Sequence, residues 1–360
     1  MQQATVKKSN QQQCPNCGAD MVFSPQKGHL YCCHCGSVEE IERSYEVRER
    51  DFVEMESVPT WQQSSVAAYR CSNCGAQTIM SATTIATTCP FCDSAVVVDS
   101  AALDSVRPDT VIPFENSVQD AQRAILHWRK RRVFAPPKFK KSLNVDSVKG
   151  TYLPVWTFDC DTSTNYSGTL GKRCTRTVRR NGKTYTETYI RWFPVSGTIR
   201  QIFDDLFVNG SNSVPQSQVD KLHPFPQSKY VVYDDKYLAG YVADNYSIQP
   251  QQAFKTAQAT MRSVIERAIM AQHFADVKGT LNLSTTYLSR SFKYLMLPLY
   301  VTATKYKNKV FNNYVSGVAA GNVKKIKVSG KAPVCWWKVL LTVIAGAAAA
   351  LGVAYLFVNS

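Results

Sequence analysis

The sequence predicts a multidomain protein with two N-terminal zinc ribbons, a central α+β domain rich in antiparallel strands and one C-terminal transmembrane helix. Three features predict this class: a repeated cysteine pattern, a long basic middle with strand and helix signals, and an uncharged apolar run at the end. The chain has 360 residues, of which 44% are hydrophobic and 19% charged. This composition excludes an intrinsically disordered chain, a collagen and a small disulfide-stapled secreted scaffold.

The predicted domain boundaries follow the cysteine motifs and the apolar run. The segments are a disordered N-terminus at 1–13, a zinc ribbon at 14–38, a charged linker at 39–68, a second ribbon at 69–98, a basic α+β domain at 99–330 and a transmembrane helix at 336–358. The segment at 38–56, from the end of the first ribbon into the linker, fits a strand or a helix equally well. We consider two roles for it, a spacer or an exposed edge offered to a partner.

Eight cysteines form two sets of paired Cys-x-x-Cys motifs with a period of 57 residues. Fourteen residues separate the two motifs in each set, so the pattern is an internal duplication. Two such motifs can place four thiolates at the corners of a tetrahedron, the arrangement of structural Zn²⁺ sites. We therefore predict two structural Zn²⁺ sites with these ligands: Cys14, Cys17, Cys32 and Cys35 in the first, and Cys71, Cys74, Cys89 and Cys92 in the second.

The alternatives to zinc are disulfides, free thiols and iron. Residues 1–13 contain no apolar segment typical of a secretory signal, and a reducing cytosol disfavours disulfides. Iron fits the same four-thiolate cage. Cys33 is surplus to the first set, and we expect a free thiol there. A site with four protein ligands has no open position for substrate, so both sites are expected to be structural rather than catalytic.

The formal net charge of +15 is distributed unevenly. The first hundred residues carry seven basic and eleven acidic side chains, a net charge of −4, and the remaining residues carry a net charge of +19. The acidic balance argues against ribbons that bind a phosphate backbone, because nonspecific affinity needs Lys and Arg. The basic part predicts a polyanionic partner, either an anionic membrane surface or nucleic acid.

The basic middle predicts amphipathic helices and long antiparallel strands. A first helix begins after an N-cap at Asn116 or Ser117, and apolar spacing near 3.6 predicts a second helix at 249–274. Asn181-Gly182 lies between two alternating runs and predicts a hairpin turn. The final strands are expected at 292–306 and 310–318.

No catalytic motif is recognisable in the sequence. There is no Walker A phosphate loop and no nucleophile elbow. Three aspartate pairs are possible ligands for a hard cation, although Asp is also favoured in turns: Asp159/Asp161, Asp204/Asp205 and Asp234/Asp235. We therefore predict a protein that is not an enzyme.

The run at 339–358 contains no charged side chain and matches the ~30 Å hydrocarbon core of a bilayer at ~1.5 Å per residue. Trp336, Trp337 and Lys338 precede it, as interfacial anchors do. Further lysines before the run place the long N-terminal part in the cytoplasm by the positive-inside rule. The alternative is a buried core helix.

Several short segments outside the cysteine motifs match a known family. They are Arg107-Pro-Asp109, Ile112-Pro-Phe114, Tyr152-Leu-Pro-Val-Trp156, Phe158-Asp159, Phe203-Asp204-Asp205, Tyr237-Leu-Ala-Gly-Tyr241 and Leu297-Pro298. In these residues the chain resembles bacterial membrane proteins with TFIIB-type zinc ribbons, which are often labelled primosomal or replication-restart helicases. The absence of a Walker A motif argues against a helicase or ATPase activity.

The resemblance implies a role and a set of partners. Relatives are encoded near phage-shock-protein-A-like and SPFH-type proteins, which implies an adaptor in envelope stress or membrane-domain maintenance. The leading hypothesis is a tail-anchored scaffold of the bacterial inner (cytoplasmic) membrane, single-pass, with the bulk of the chain in the cytoplasm. Its expected partners are the anionic membrane surface and cytosolic or membrane proteins of these two types. The alternative is a membrane-tethered protein that binds nucleic acid with its basic central domain.

Overall fold

The computed structural model of the chain describes most residues after the N-terminus. The described ranges are 12–56, 61–62, 66–71, 77–81, 86–89, 91, 95–97, 104–105, 107–143, 145, 147–307, 309–319, 323–344 and 346–347. The predicted disorder at 1–13 lies, up to residue 11, outside these ranges.

The first ribbon is a small antiparallel sheet in which strands pair in chain order. Met21, Phe23 and Leu30 are buried because alternate residues of a strand point to one face. The strands are β1 (Gln12–Gln13), β2 (Asp20–Ser24), β3 (His29–Cys32) and β4 (Val38–Glu39), and β5 (Arg50–Asp51) follows in the linker.

The segment at 61–105, which contains the predicted second ribbon, is described only in short pieces. Its strands are β6 (Trp61–Gln62), β7 (Val66–Arg70), β8 (Gln77–Ser81), β9 (Ala86–Thr88), β10 (Ala95–Val97) and β11 (Asp104–Ser105). Antiparallel pairs form between β7 and β8, between β9 and β10, and between β6 and β11.

The central domain is built around a large, mainly antiparallel sheet, as the sequence predicts. Its elements are β12 (Thr110–Val111), α1 (Val118–Arg131), α2 (Pro137–Ser142), β13 (Lys149–Arg180), β14 (Lys183–Asn209), α3 (Gln216–Val219), β15 (Val231–Val232), β16 (Val242–Asp244), α4 (Pro250–Gln272), β17 (Val277–Tyr306), β18 (Lys309–Ser316) and β19 (Val328–Gly330). β13 pairs antiparallel with both β14 and β17. β8 pairs with β16, which joins the second cysteine region to this sheet.

The environment of β13 changes along its length. Residues 151–158 are buried on both faces, residues 159–166 are mostly buried on alternate positions only, and residues 172–180 are mostly exposed. Helix α4 packs against β13 where the fully buried part ends: Phe254 contacts Phe158 with ring centroids 5.3 Å apart. The last pairing with β17 joins Gly171 to Val277, so beyond it β13 and β14 continue as a two-stranded hairpin. We call residues 172–191 the arm.

The turn of the arm confirms the predicted hairpin. Asn181 and Gly182 have φ values of 50° and 75°. Positive φ at both central residues is what a two-residue hairpin loop of this handedness requires, and Asn-Gly is its preferred sequence.

The two predicted helices also form. Ser117 caps α1: its hydroxyl accepts from the backbone N–H of Asp120 at 3.2 Å, and the Asp120 carboxylate accepts from the N–H of Ser117 at 3.0 Å. Asn116, the other candidate cap, instead donates to the carbonyls of Ser316 and Val318. Helix α4 buries a stripe at helical spacing against the sheet: Ala253, Phe254, Ala257, Met261, Ile265 and Ile269.

The predicted transmembrane helix at 336–358 is wrong. In the part of the chain that the structure describes, no helix has both the length and the apolar character needed to cross a bilayer. Residues 336–344 and 346–347 of the predicted span are helical. The predicted single-pass location in the bacterial inner membrane depended on this helix and is wrong on the same finding. The remainder of the predicted span, at 345 and 348–358, lies outside the described residues.

Lys338 has a different role from the one expected of a membrane-flanking cation. Its ammonium donates to the carbonyl of Val133 at 3.2 Å and to that of Ala135 at 3.0 Å. The backbone N–H of Cys335 donates to Phe134 at 2.8 Å. These contacts tie the start of the C-terminal helical residues to the loop after α1.

Candidate metal centre

The first cysteine set comes together in the fold. The Sγ atoms of Cys14, Cys17, Cys32 and Cys35 all lie within 4.8 Å of one another. The Sγ–Sγ distance is 3.5 Å between Cys14 and Cys35 and also 3.5 Å between Cys17 and Cys32. Zn–S bonds of ~2.3 Å in a tetrahedron require Sγ–Sγ distances of about 3.8 Å. These four residues therefore lie together as a metal site requires, and they fit Zn²⁺.

The two Cys-x-x-Cys motifs have the same backbone geometry. In each motif the N–H four residues after the first cysteine donates back to its carbonyl: Gly18 to Cys14 at 2.9 Å and Gly36 to Cys32 at 3.0 Å. Both glycines have positive φ, 72° and 76°, a conformation that favours a residue without Cβ. These turns bring both cysteines of each motif to the same side of the ribbon.

One thiol of the cluster is prepared for ionisation by its surroundings. The hydroxyl of Ser37 lies 3.0 Å from Cys35 Sγ. The side-chain and backbone hydrogen bonds from Ser37 lower the pKa of the Cys35 thiol to about 5. Because metals bind the thiolate, this contact favours the metal-binding form. Ser37 was not predicted as part of the site, and a serine two residues after a ligand is too common to identify it.

The second cysteine set is described only in part. Cys71 and Cys89 are buried, at 1% and 0% exposure, while Cys74 and Cys92 lie outside the described residues. In the repeat, Cys71 and Cys89 correspond to Cys14 and Cys32, which are also the buried members of their set. Among the described residues, the first set forms the only four-cysteine cluster, so the second Zn²⁺ site stays a prediction.

The first ribbon is docked on the central domain. The N–H of Phe23 donates to the carbonyl of Ala239 at 3.0 Å, and its ring packs edge-on against Tyr237 at 5.4 Å between centroids. An ion pair of 2.6 Å joins Glu39 to Lys236. Gly240, with φ 84°, approaches Val22 so closely that a Cβ would lie 3.0 Å from it. The first ribbon is thus attached to residues 236–240 of the central domain by a hydrogen bond, a ring contact, an ion pair and close packing.

Residues 50–52 of the linker pack against the central domain, so this part is neither an unattached spacer nor an unpaired strand edge. Residues Arg50 and Asp51 pair with Phe292 and Ser291 of β17. The ring of Phe52 packs against Phe254 of α4 with centroids 4.5 Å apart. The linker thus adds a short strand to the central sheet and contributes to its core.

A buried lysine connects the linker to the middle of the sheet. The side chain of Lys293 is 5% exposed, and its ammonium lies 2.8 Å from Asp205, 2.9 Å from Glu49 and 3.3 Å from Asp159. Burial raises the pKa of the Asp159 carboxyl to about 6, although the backbone N–H of Asp205 donates to it at 2.5 Å. A single cation therefore serves three carboxylates.

The predicted aspartate pairs have different outcomes. Oxygens of Asp159, Asp204 and Asp205 lie within 4.8 Å of one another, but the ammonium of Lys293 is the counter-ion of this group. Asp161 is not part of that group. Asp234 accepts from the N–H of Lys236 at 2.9 Å and caps a short turn, as aspartate in turns commonly does. None of these pairs provides an evident catalytic constellation.

The chain is similar over most of its length to a protein of a bacterium. The chain is 28% identical over 339 residues to an uncharacterized protein, YdjG, of Bacillus subtilis (strain 168), and the match covers 91% of each chain. No family model matches the chain. No solved structure matches it either. Because the relative is itself uncharacterized, the likeness assigns no activity, and the resemblance to TFIIB-type zinc-ribbon membrane proteins stays a prediction.

Proposed function

We propose that this protein is a non-enzymatic adaptor whose structural zinc sites stabilise the base of an elongated sheet and whose arm contacts a partner. The observation that carries the proposal is the arm itself. Beyond Gly171 the hairpin has no third strand and no helix over it among the described residues, and residues 172–191 are largely exposed on both faces. A projecting element with little core of its own is suited to intermolecular contact.

The two faces of the arm differ in chemistry. Side chains directly opposite each other in the hairpin share a face, and faces alternate along each strand. One face carries five cations, one carboxylate and two tyrosines: Lys172, Arg176, Arg180, Lys183, Arg191, Glu187, Tyr185 and Tyr189. The other carries Arg173, Arg179, Ile190 and five threonines. We call these the basic-aromatic face and the threonine face. The charge supports an acidic protein surface as the partner.

Side-chain contacts on the basic-aromatic face hold Arg176, Glu187 and Tyr189 in fixed positions relative to one another. Arg176 forms an ion pair of 2.8 Å with Glu187, and its guanidinium lies 5.7 Å from the ring centroid of Tyr189. Tyr185 and Tyr189 remain 52% and 42% exposed. Exposed tyrosines beside arginines are the residues that most often contribute to binding energy in interfaces.

A pull-down with the full chain tests the adaptor. Arg180→Gln/Lys183→Gln removes two charges from the basic-aromatic face, and Arg173→Gln/Arg179→Gln removes two from the threonine face. The proposal expects loss of an acidic partner protein with the first variant, retention with the second, and no change after nuclease treatment. The resemblance makes phage-shock-protein-A-like and SPFH-type proteins the first partners to test. If both variants retain the partner protein equally, the arm is not the surface that contacts it.

A second candidate function is nucleic-acid binding by the same arm. A two-stranded ribbon of this kind fits the major groove of DNA, and cations interleaved with aromatic side chains suit single strands. The candidate predicts salt-dependent binding of a labelled duplex or single strand by fluorescence anisotropy, weakened by Arg180→Gln/Lys183→Gln. If neither nucleic acid binds at about 20 mM salt and micromolar protein, this candidate is rejected and the adaptor remains.

A further inference from the structure

The three long strands β14, β13 and β17 have one open face. Helix α4 packs on the other face, where Nε2 of His273, at the end of the helix, lies 2.9 Å from the hydroxyl of Tyr166 in β13. Successive residues of a strand point to opposite faces, so Asn165 and Ser167 point away from α4. Both are exposed, and among the described residues no element packs on their side of the sheet.

Short, uncharged polar side chains lie in regular rows across this open face. Six exposed residues form two such cross-strand rows: Asn165, Thr198 and Ser284 in the first, and Ser167, Ser196 and Asn282 in the second. Within the first row the hydroxyl of Thr198 donates to the amide oxygen of Asn165 at 2.7 Å. From these rows to Gly171 the open face carries no charged side chain. It therefore offers hydrogen-bond donors and acceptors without a net charge.

Trp192 provides an aromatic platform at the end of the same face. It lies opposite Gly171 in the ladder, and its indole extends over Gly171 to Gly279 of β17. A Cβ at either glycine would lie 2.9 Å from Cζ3 of the ring, so glycine is what lets the ring approach the backbone of both strands. The indole is therefore held against the sheet, while the residue remains 50% exposed. This arrangement fixes the ring as a stacking surface before any ligand binds.

We propose that the open face binds an extended, uncharged polysaccharide. The C–H face of a sugar ring stacks on an aromatic ring, and sugar hydroxyls bond to Ser, Thr and Asn side chains, which both donate and accept. Short side chains lose little conformational entropy when a ligand orders them. The row of Asn165 lies about 20 Å from Trp192 at ~3.3 Å per residue, so a ligand that contacts both has several linked sugar units.

The absence of charge distinguishes this ligand from other chains that could lie on a flat sheet. Nucleic acids and acidic proteins are bound through Lys and Arg, which the rows and the platform lack. A hydrophobic protein surface needs a contiguous apolar patch, whereas the two rows are polar. The open face also lies on the side of the sheet opposite to the basic-aromatic face, so it is independent of the proposed adaptor contact.

Isothermal titration of the full chain with three neutral hexasaccharides, cellohexaose, maltohexaose and chitohexaose, tests the proposal. Hexagalacturonate, which carries a carboxylate on every unit, is the charged comparison. We expect at least one neutral ligand to bind, with an affinity that added salt does not weaken. Trp192→Ala should weaken this binding about tenfold through loss of the stacked ring, whereas Trp192→Phe should retain most of it. Asn165→Ala/Ser284→Ala, which leaves the ring in place, should weaken it severalfold.

The matched control is Tyr185→Ala, which removes an exposed aromatic ring from the basic-aromatic face. It should leave the affinity for the neutral hexasaccharide unchanged, and thermal unfolding of each variant verifies that it is folded. Three results would overturn the proposal: no binding of any neutral hexasaccharide, equal weakening by Trp192→Ala and Tyr185→Ala, or binding of hexagalacturonate alone. The last would show that the chain attracts anionic polymers through its net charge.

Discussion

Arg50 and Asp109 form a partly buried ion pair that joins the linker to the start of the central domain. Their closest atoms lie 2.6 Å apart, and their side chains are 16% and 10% exposed. Asp109 also accepts from the backbone N–H of Tyr294 at 3.0 Å, which ties the same carboxylate to β17. Burial raises the pKa of Asp109 even though Arg50 lowers it. The ionised form of Asp109 is therefore stabilised by Arg50.

Removal of the arginine alone should destabilise the protein strongly. Arg50→Met leaves the partly buried Asp109 without its counter-ion, and we expect the free energy of unfolding to fall by about 2 kcal/mol, between the values for exposed and fully buried pairs. Arg50→Met/Asp109→Leu should recover part of this loss, because neither charge then remains. Urea denaturation measures both variants. A loss of less than about 0.5 kcal/mol for Arg50→Met would mean that the pair behaves like an exposed one.

The number of Zn²⁺ ions per chain should equal the number of intact cysteine sets. We expect about two Zn²⁺ per chain by elemental analysis, and about one after Cys14→Ser/Cys32→Ser. The same variant should lower Tm by at least about 5 °C, because the ribbon is docked on the central domain. Cys33→Ser, which changes the exposed surplus cysteine, is the control and should keep both properties. A chain that loses zinc with no change in Tm would contradict the structural role of the docked ribbon.

Asp159 should make stability depend on pH in a specific direction. Its folded-state pKa is about 6, against ~3.9 for an unfolded chain, so between these values the folded state holds a proton that the unfolded state has released. The free energy of unfolding therefore falls as pH rises from about 4 to about 6, by up to about 2 kcal/mol from this group.

Asp159→Asn removes this dependence while its amide oxygen can still accept from the N–H of Asp205. Relative to the unchanged protein, the variant should gain about 2 kcal/mol between pH 4 and pH 7.5 in urea titrations. Asp161→Asn, a nearby change on the same strand, should leave the pH profile as it is. Parallel profiles for all three proteins would contradict the assignment.

Gly168 is required in the part of β13 that still pairs with β17, just before the arm. A Cβ at this position would overlap the carbonyl oxygen of Thr280 and lie 2.9 Å from Cα of Leu281 in β17. Because backbone atoms cannot move as a flexible side chain can, Gly168→Ala should cost about 2 kcal/mol or more of unfolding free energy. Ser167→Ala, an exposed neighbour, is the control and should change it by less than about 0.5 kcal/mol. Similar values for both would show that β17 shifts freely at this point.

Local sequence signals predicted the parts of the fold that depend on local physics. Asn181-Gly182 determines a turn by its own backbone preferences, and the cysteine spacing brings four thiols together within one short ribbon. The apolar stripe of α4 is likewise visible from helical periodicity. These predictions needed no knowledge of the remainder of the chain.

Contacts between distant segments were not predictable in the same way. Lys293 meets Glu49, which lies 244 residues away, and Arg50 of the linker meets Asp109, which lies 59 residues away. No pattern in either segment indicates such a pairing, because surface charges of the same types are common. The apolar C-terminal run led to the opposite error: its composition predicted a transmembrane helix, whereas no helix among the described residues is both long and apolar enough to cross a bilayer.

β13 runs without interruption for 32 residues, from the buried centre of the sheet to the tip of the arm. Its interstrand hydrogen bonds are perpendicular to the strand, as in any antiparallel pair. A pull along the strand axis therefore loads many of these bonds at once, in shear, whereas a sideways pull opens them one after another from the tip. The arm should therefore resist a force along its strands strongly and a sideways force weakly. The angle at which a partner binds the arm then determines how much tension the complex withstands.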